Sequence, residues 1–253
     1  MSDALHKDAS HSNWPRLGLG TVAFGRDWGL KYPVRIPDDA ALERLLDLAA
    51  DLGVTHLDTA PAYGASEERL GRLLARRPGR FTVSTKVGEV STPRGSRFDF
   101  SPAAIRHSVE ASLKRLRADV LDLVFLHSSG DDARALEGLD ALLDLRAEGK
   151  LRLVGASTKT VQGGLDAVRR CDAVMIAYSH RDRSQAAVLE AASGSVPVFV
   201  KKPLDAGGVT PEGVAEALAF VARHPAVTTV LVGTTDPEHL RANARVVGEA
   251  VAE

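Results

Sequence analysis

Residues 121–157 read LDLVFLHSSGDDARALEGLDALLDLRAEGKLRLVGAS. Leu121–His127 and Leu153–Ser157 are short runs rich in branched and large apolar residues, the length of a buried strand. Between them Leu136, Leu139 and Leu143 recur at helical spacing, and the pattern stops at Gly149, a residue suited to the left-handed end of a helix. A strand, a helix and a second strand joined this closely read as a βαβ unit with parallel strands.

The same alternation extends in both directions. Further candidate strands are Leu17–Val22, Thr55–Asp58, Phe81–Lys86, Ala173–Tyr178, Val196–Lys201 and Thr229–Gly233, which makes eight in all. Helical stripes fall between them. They are marked by Leu42, Leu45, Leu46 and Ala49, by Leu70, Leu73 and Leu74, and by Ile105, Val109, Leu113 and Leu116. Later stripes carry Val161, Leu165 and Val168, then Val214, Leu218 and Val221, then Leu240, Ala244 and Val247, with a short, weakly patterned one near Gln185–Ala192. Ser66 is placed to cap the second helix, with Glu67 and Glu68 in its first turn, and Ser101-Pro102 opens the third. Eight units without consecutive strands predict a single-domain α/β fold, a (β/α)8 TIM barrel over residues 14–253, with an open doubly wound sheet as the alternative. Residues 1–13 read as a flexible leader.

The chain of 253 residues is the size of one such barrel, and its 44% hydrophobic content fills a large core. A net charge of −1 gives no pull toward nucleic acid or membrane, and one cysteine, Cys171, excludes an internal disulfide. The polar start carries no signal-peptide pattern and no apolar run would span a bilayer, so the expected location is cytoplasmic. The sequence is silent on oligomeric state.

In a parallel barrel the active site forms where strands end. The second strand ends in Asp58, the third in Lys86, the fourth in His127, and Tyr63 lies in the loop after the second. Singly each has an ordinary reading: a turn aspartate, a snorkelling lysine, a satisfied core histidine. Together on one rim they make a proton-transfer set. A phenol titrates near pH ~10; a neighbouring ammonium lowers that value, and a carboxylate keeps the ammonium charged. A histidine can bind the substrate oxygen. Hydride must come from a cofactor, since no side chain supplies one. The glycines of Gly18–Gly25 do not have dinucleotide-fingerprint spacing and read instead as letting backbone crowd the mouth. Trp28, Tyr32, Phe98 and Phe100 fall in predicted loops, where Trp28 and Phe98 are candidate walls of the substrate pocket beside Tyr63 and His127. Packing beneath their own loops is the alternative. Arg94 and Arg97 could attract an anionic substrate.

Leu57-Asp58-Thr59-Ala60-Pro61-Ala62-Tyr63-Gly64, followed by Ser66-Glu67-Glu68-Arg69-Leu70-Gly71, resembles the aldo-keto reductase signature. Thr85-Lys86, Asp122–His127 and Gly155-Ala156-Ser157 follow in the family's order, and the likeness runs from about Leu17 to Asn243. The resemblance implies Asp58, Tyr63, Lys86 and His127 as a catalytic tetrad with Tyr63 as general acid/base. It implies NADP(H) or NAD(H) across the mouth and a small carbonyl or alcohol substrate. Gly20, Thr21 and Asp58 would approach the nicotinamide, and Ser157 and Thr158 its carboxamide. Met175, Lys201 and Lys202 would lie beside it. Pro203–Gly207, including Leu204 and Ala206, would flank the pyrophosphate. Gly233, Thr234, Thr235, His239 and Asn243 would hold the adenosine end, where the helix opening near Asp236 offers N–H groups to a phosphate.

The sequence departs from the family pattern at four points. Thr158 stands for the usual Asn, Met175 for a carboxamide-binding Gln, Lys201 for an aromatic residue and His239 for the usual arginine. The grip on an adenosine 2′-phosphate therefore has no usual residue, though Lys201, Lys202 or Arg241 could compensate. Two other functions compete with oxidoreduction. One is a non-catalytic or regulatory nicotinamide-binding barrel. The other is a Schiff-base aldolase on Lys86, which the Asp58 partner opposes.

Overall fold

The computed structural model describes residues 14–28 and 35–252; the leader read over residues 1–13, and Tyr32, lie outside them. The chain runs β1 (Leu17–Gly20), a short α1 (Val22–Gly25), α2 (Asp39–Asp51), β2 (His56–Asp58), a 3-10 turn Pro61–Tyr63, α3 (Ser66–Leu74) and β3 (Thr82–Val87). Then come β4 (Glu89–Thr92), β5 (Gly95–Phe98), α4 (Pro102–Leu116), β6 (Leu121–His127), α5 (Asp132–Leu136), α6 (Leu139–Ala147), β7 (Leu151–Ser157) and α7 (Val161–Arg170). β8 (Ala173–Ala177), α8 (Ala186–Ala192), β9 (Val198–Lys201), α9 (Val214–Ala222), β10 (Thr229–Gly233) and α10 (Pro237–Ala252) complete it. The sheet closes in the order β1-β10-β9-β8-β7-β6-β3-β2. β1 pairs in parallel with both β2 and β10, so the open-sheet alternative fails.

Parallel register brings every strand end to one mouth. Gly20 sits beside Asp58, Asp58 beside Ser84, His127 beside Ser157, and Ser157 beside Met175. Outside the sheet, the stripes read from sequence pack as one apolar layer, with Leu42, Leu45, Ile105, Val109 and Leu142 fully buried. Inside the barrel Leu123, Phe125, Met175, Phe199 and Leu231 fill the bore. Trp14 closes its foot, edge-on to His56 at 5.0 Å and to Phe199 at 5.1 Å. Cys171 is a packed thiol, pushed up to about 12 by burial and then by Asp172, and so is inert at neutral pH.

Local expectations change in places. Ser101 does cap α4, accepting from Ala104 N, but Ser66 does not cap α3. Ser66 is fully buried, and its hydroxyl donates to Thr21 O at 3.0 Å and accepts from Thr59 Oγ1 at 3.0 Å. Glu67 is buried too: its carboxylate accepts from Thr85 Oγ1 at 2.5 Å and pairs with Arg115 at 2.6 Å, tying α3 to β3 and α4. The stretch after β3, read as loop, is an antiparallel hairpin of β4 and β5. Gly25 shows why backbone can crowd the mouth: a Cβ there would lie 2.1 Å from Ser66 N and 2.5 Å from Tyr63 O. Only a glycine lets α1 press against the turn that carries Tyr63.

Candidate active site

A cavity of about 520 Å³ opens at the mouth, within the usual size range of small-molecule sites. Asp58, Tyr63, Lys86 and His127 all line it. Lys86 Nζ donates to both carboxylate oxygens of Asp58 at 2.7 Å and to Thr59 O at 2.9 Å, and it lies 4.7 Å from the centre of the Tyr63 ring. Burial alone would depress the Lys86 ammonium; the Asp58 carboxylate and then the Tyr63 oxygen reverse this and hold it above its ordinary value. Tyr63 differs from the expectation. Burial outweighs the ammonium and holds the phenol above its ordinary value, so it stays protonated at neutrality.

A polar file beneath supports the pair. Ser84 Oγ donates to Asp58 Oδ1 at 2.9 Å, and so must accept from His56 Nε2 at 3.1 Å. That puts the His56 proton on Nε2, while Nδ1 lies 3.1 Å from Thr82 Oγ1. Burial pushes His56 down to about 4, which keeps it neutral.

Sequence reading missed Glu89 and Arg26, both of which line the cavity. Glu89, at the start of β4, sets its Oε2 2.8 Å from His127 Nδ1, a close polar contact whose angle falls short of a hydrogen bond. Burial opposes the Glu89 charge, but His127, Ser96 and Arg26 together hold the carboxyl down to about 2. His127 is lowered, by burial first and against the pull of Glu89. Arg26 donates to Ala62 O at 2.9 Å and lies 5.8 Å from the Tyr63 ring centre. The alternation in 89–98 around Thr92-Pro93-Arg94-Gly95 was the available signal for the hairpin.

The expected cofactor residues divide. Gly20, Thr21, Ser157, Met175 and Lys201 line the cavity, as do Lys202, Leu204, Ala206 and Gly233. Thr158, Thr234, Thr235, His239 and Asn243 do not. Thr21 is fully buried, its hydroxyl donating to Asp58 O at 2.9 Å. Trp28 and Phe98 are not among the lining residues either. Phe98 stacks on Phe100 at 6.4 Å, and the Arg26 guanidinium lies 5.9 Å from the Trp28 ring centre. Arg94 and Arg97 are exposed, leaving Arg26 as the arginine of the cavity.

Two observations bear on whether a nicotinamide dinucleotide fits. Thr158 Oγ1 is buried with no partner among the described residues, a polar atom left over beside Ser157. The loop after β9 holds Lys202, Asp205 and Ala206 at positive φ, followed by Gly207. This strained backbone is held against the cavity wall. The residues fit the group at the nicotinamide end. At the opening of α10, Asp236 Oδ1 already accepts from Glu238 N at 2.8 Å and from His239 N at 3.5 Å. The N–H groups expected to be free for phosphate therefore face a carboxylate.

The profile of the aldo/keto reductase family matches residues 16–216. An aldo-keto reductase structure from Pseudomonas aeruginosa is 44% identical with a TM-score of 0.86, covering 94% of this chain and 91% of that one. The holo form of an aldo-keto reductase from Bacillus halodurans is 25% identical, with a TM-score of 0.79 over 94% and 90%. Among curated relatives, D-threo-aldose 1-dehydrogenase of a Pseudomonas species is 31% identical over 66% of this chain, and the match spans 57% of its own length. NADH-specific methylglyoxal reductase of Escherichia coli is 31% identical over 77% of this chain and 65% of its own. A profile match over most of its length, and neighbours with the same closed barrel, establish that this chain belongs to the aldo/keto reductase family.

Proposed function

We propose that this chain interconverts a small aldehyde, ketone or sugar with its alcohol or oxidised form, using a nicotinamide cofactor and Tyr63 as general acid/base. The observation that carries the reading is the Lys86 ammonium held between the Asp58 carboxylate and the Tyr63 ring. The cofactor supplies or accepts hydride at the carbonyl carbon when bound. Ser157 and Thr158 would hold its carboxamide, Pro203–Gly207 its pyrophosphate and Gly233–Asn243 its adenosine end. Tyr63 gives a proton to the substrate oxygen, and Lys86 then stabilises the phenolate that remains. With Glu89 facing Nδ1, the proton of neutral His127 belongs on Nδ1. Nε2 is then an acceptor for a substrate hydroxyl. Arg26 and Glu89 give the cavity the polarity that a hydroxylated substrate needs. Relatives named as an aldose dehydrogenase and a methylglyoxal reductase fit that class.

Asp236 favours NADH. A carboxylate at the opening of α10 repels a 2′-phosphate and can accept from a ribose hydroxyl. Parallel fluorescence titrations should give a Kd for NADH at least about 10-fold below that for NADPH, a gap of roughly 1.4 kcal/mol. A panel of carbonyl and sugar substrates should then show turnover with NADH. A regulatory barrel is the second reading, because Lys201 already occupies Ser157 with a hydrogen bond of 2.7 Å. Tight cofactor binding with no turnover across the panel would favour it.

The Glu89–His127 contact has its own test. Glu89→Ala should lower kcat by about 10²-fold, the scale expected from a misplaced group. Glu89→Gln, which keeps an oxygen facing Nδ1–H, should recover most of it. Equal rates in all three proteins would remove Glu89 from the reaction.

A further inference from the structure

Lys86 and Lys201 both reach the cavity, and their partners differ. Lys86 meets three acceptors, two of them charged, which matches the three N–H bonds of an ammonium. Lys201 meets two neutral ones, Ser157 Oγ at 2.7 Å and Thr158 O at 3.0 Å. Among the described residues no carboxylate lies within ion-pair distance of Lys201. The charged groups that weigh most on it are Lys202, Lys86, Lys159 and Asp132, and the His127 ring feels its charge from β6. Asp132 is engaged elsewhere, accepting from Lys159 N at 3.1 Å, Thr160 N at 2.8 Å and Thr160 Oγ1 at 2.6 Å. A neutral amine has two N–H bonds and a lone pair, so two acceptors satisfy it and the lone pair remains. Burial first, then the charges of Lys202, Lys86 and Lys159, press the ammonium down to about 7. A far larger share of the molecules then holds the free amine at neutrality than the about one in 10³ of an ordinary lysine.

We propose that Lys201 is a carbonyl-reactive amine that captures small aldehydes in the barrel mouth as an imine. Nζ attacks the aldehyde carbon, an N–C bond forms, and the carbonyl π pair moves to oxygen, which takes up a proton as Nζ gives one up. The carbinolamine then loses its hydroxyl as water while C=N forms. Amine and aldehyde give imine and water, with no oxidant or reductant, and hydrolysis reverses the step. The imine nitrogen no longer has two protons for Ser157 and Thr158, so capture frees at least one of those acceptors. This inference does not rest on the oxidoreductase reading, since it needs no cofactor. It also moves Schiff-base chemistry from Lys86, which its carboxylate keeps protonated, to Lys201.

The test is reductive trapping of the full chain without cofactor, using propionaldehyde and cyanoborohydride followed by peptide mapping. The other seven lysines of the sequence serve as internal controls. At neutral pH Lys201 should be alkylated on the order of 10²-fold faster than exposed Lys114. Its rate should rise with pH through a midpoint near 7. Lys201→Arg should lose the fast phase, and the wild-type map decides the matter even if that variant does not fold. Alkylation of Lys201 no faster than Lys114, or trapping first at Lys86, would overturn the proposal.

Discussion

Tyr63→Phe should lower turnover by about 10³-fold, the range of a lost general acid, while cofactor affinity stays close to that of the unaltered protein. The substitution removes one oxygen and keeps the ring, which packs 4.7 Å from Lys86 and 5.8 Å from Arg26. Binding contacts survive and only the proton donor goes. The raised phenol adds a direction to the pH profile. Carbonyl reduction needs the protonated phenol and should be flat through neutrality. Alcohol oxidation needs the phenolate and should climb as pH rises into the alkaline range. Steady-state rates in both directions, with a cofactor titration of the variant, check both points. Undiminished turnover by the phenylalanine variant would be incompatible with the assignment.

Asp58→Asn should be the most damaging isosteric change in the mouth. It leaves the Lys86 ammonium buried, 2% exposed, with its charge uncompensated. Breaking a buried pair from one side costs about 3–5 kcal/mol, so Tm should fall by roughly 10 °C. Lys86 is raised above its unfolded value, so its stabilising contribution is whole below the ordinary lysine range and is lost as pH climbs above it. The gap between the two proteins should therefore narrow in strong alkali. The double change Asp58→Asn with Lys86→Met removes both charges. It should recover most of the lost stability with none of the activity, which separates folding from chemistry. An Asn variant as stable as the parent would show that the ammonium finds its compensation elsewhere.

The barrel was legible because two signals repeat: short apolar runs that end at a rim, and stripes at helical spacing. Asp58, Lys86 and His127 were legible for the same reason, since each closes a strand and parallel strands end together. What stayed hidden depends on contacts between elements. Ser66 looked like a cap, and the partners of the first-turn Glu67 went unread, because only the packing of α3 against β3 and α4 buries them. Glu89 meets a histidine on a different strand, and Lys201 reaches across the mouth from β9 to the end of β7. Neither pairing leaves a periodic trace. Tyr63 was placed correctly beside Lys86, but the direction of its shift was not, because spacing carries no information on how deeply the ring is buried.

The β4–β5 hairpin is an appendage, not a stave of the cylinder, yet it delivers the carboxylate that faces His127. The hairpin forms a sheet of its own, apart from the eight strands of the cylinder. A descendant could therefore rewire where the imidazole keeps its hydrogen, and so which oxygen function it greets, by exchanging one ornament on an unchanged vessel.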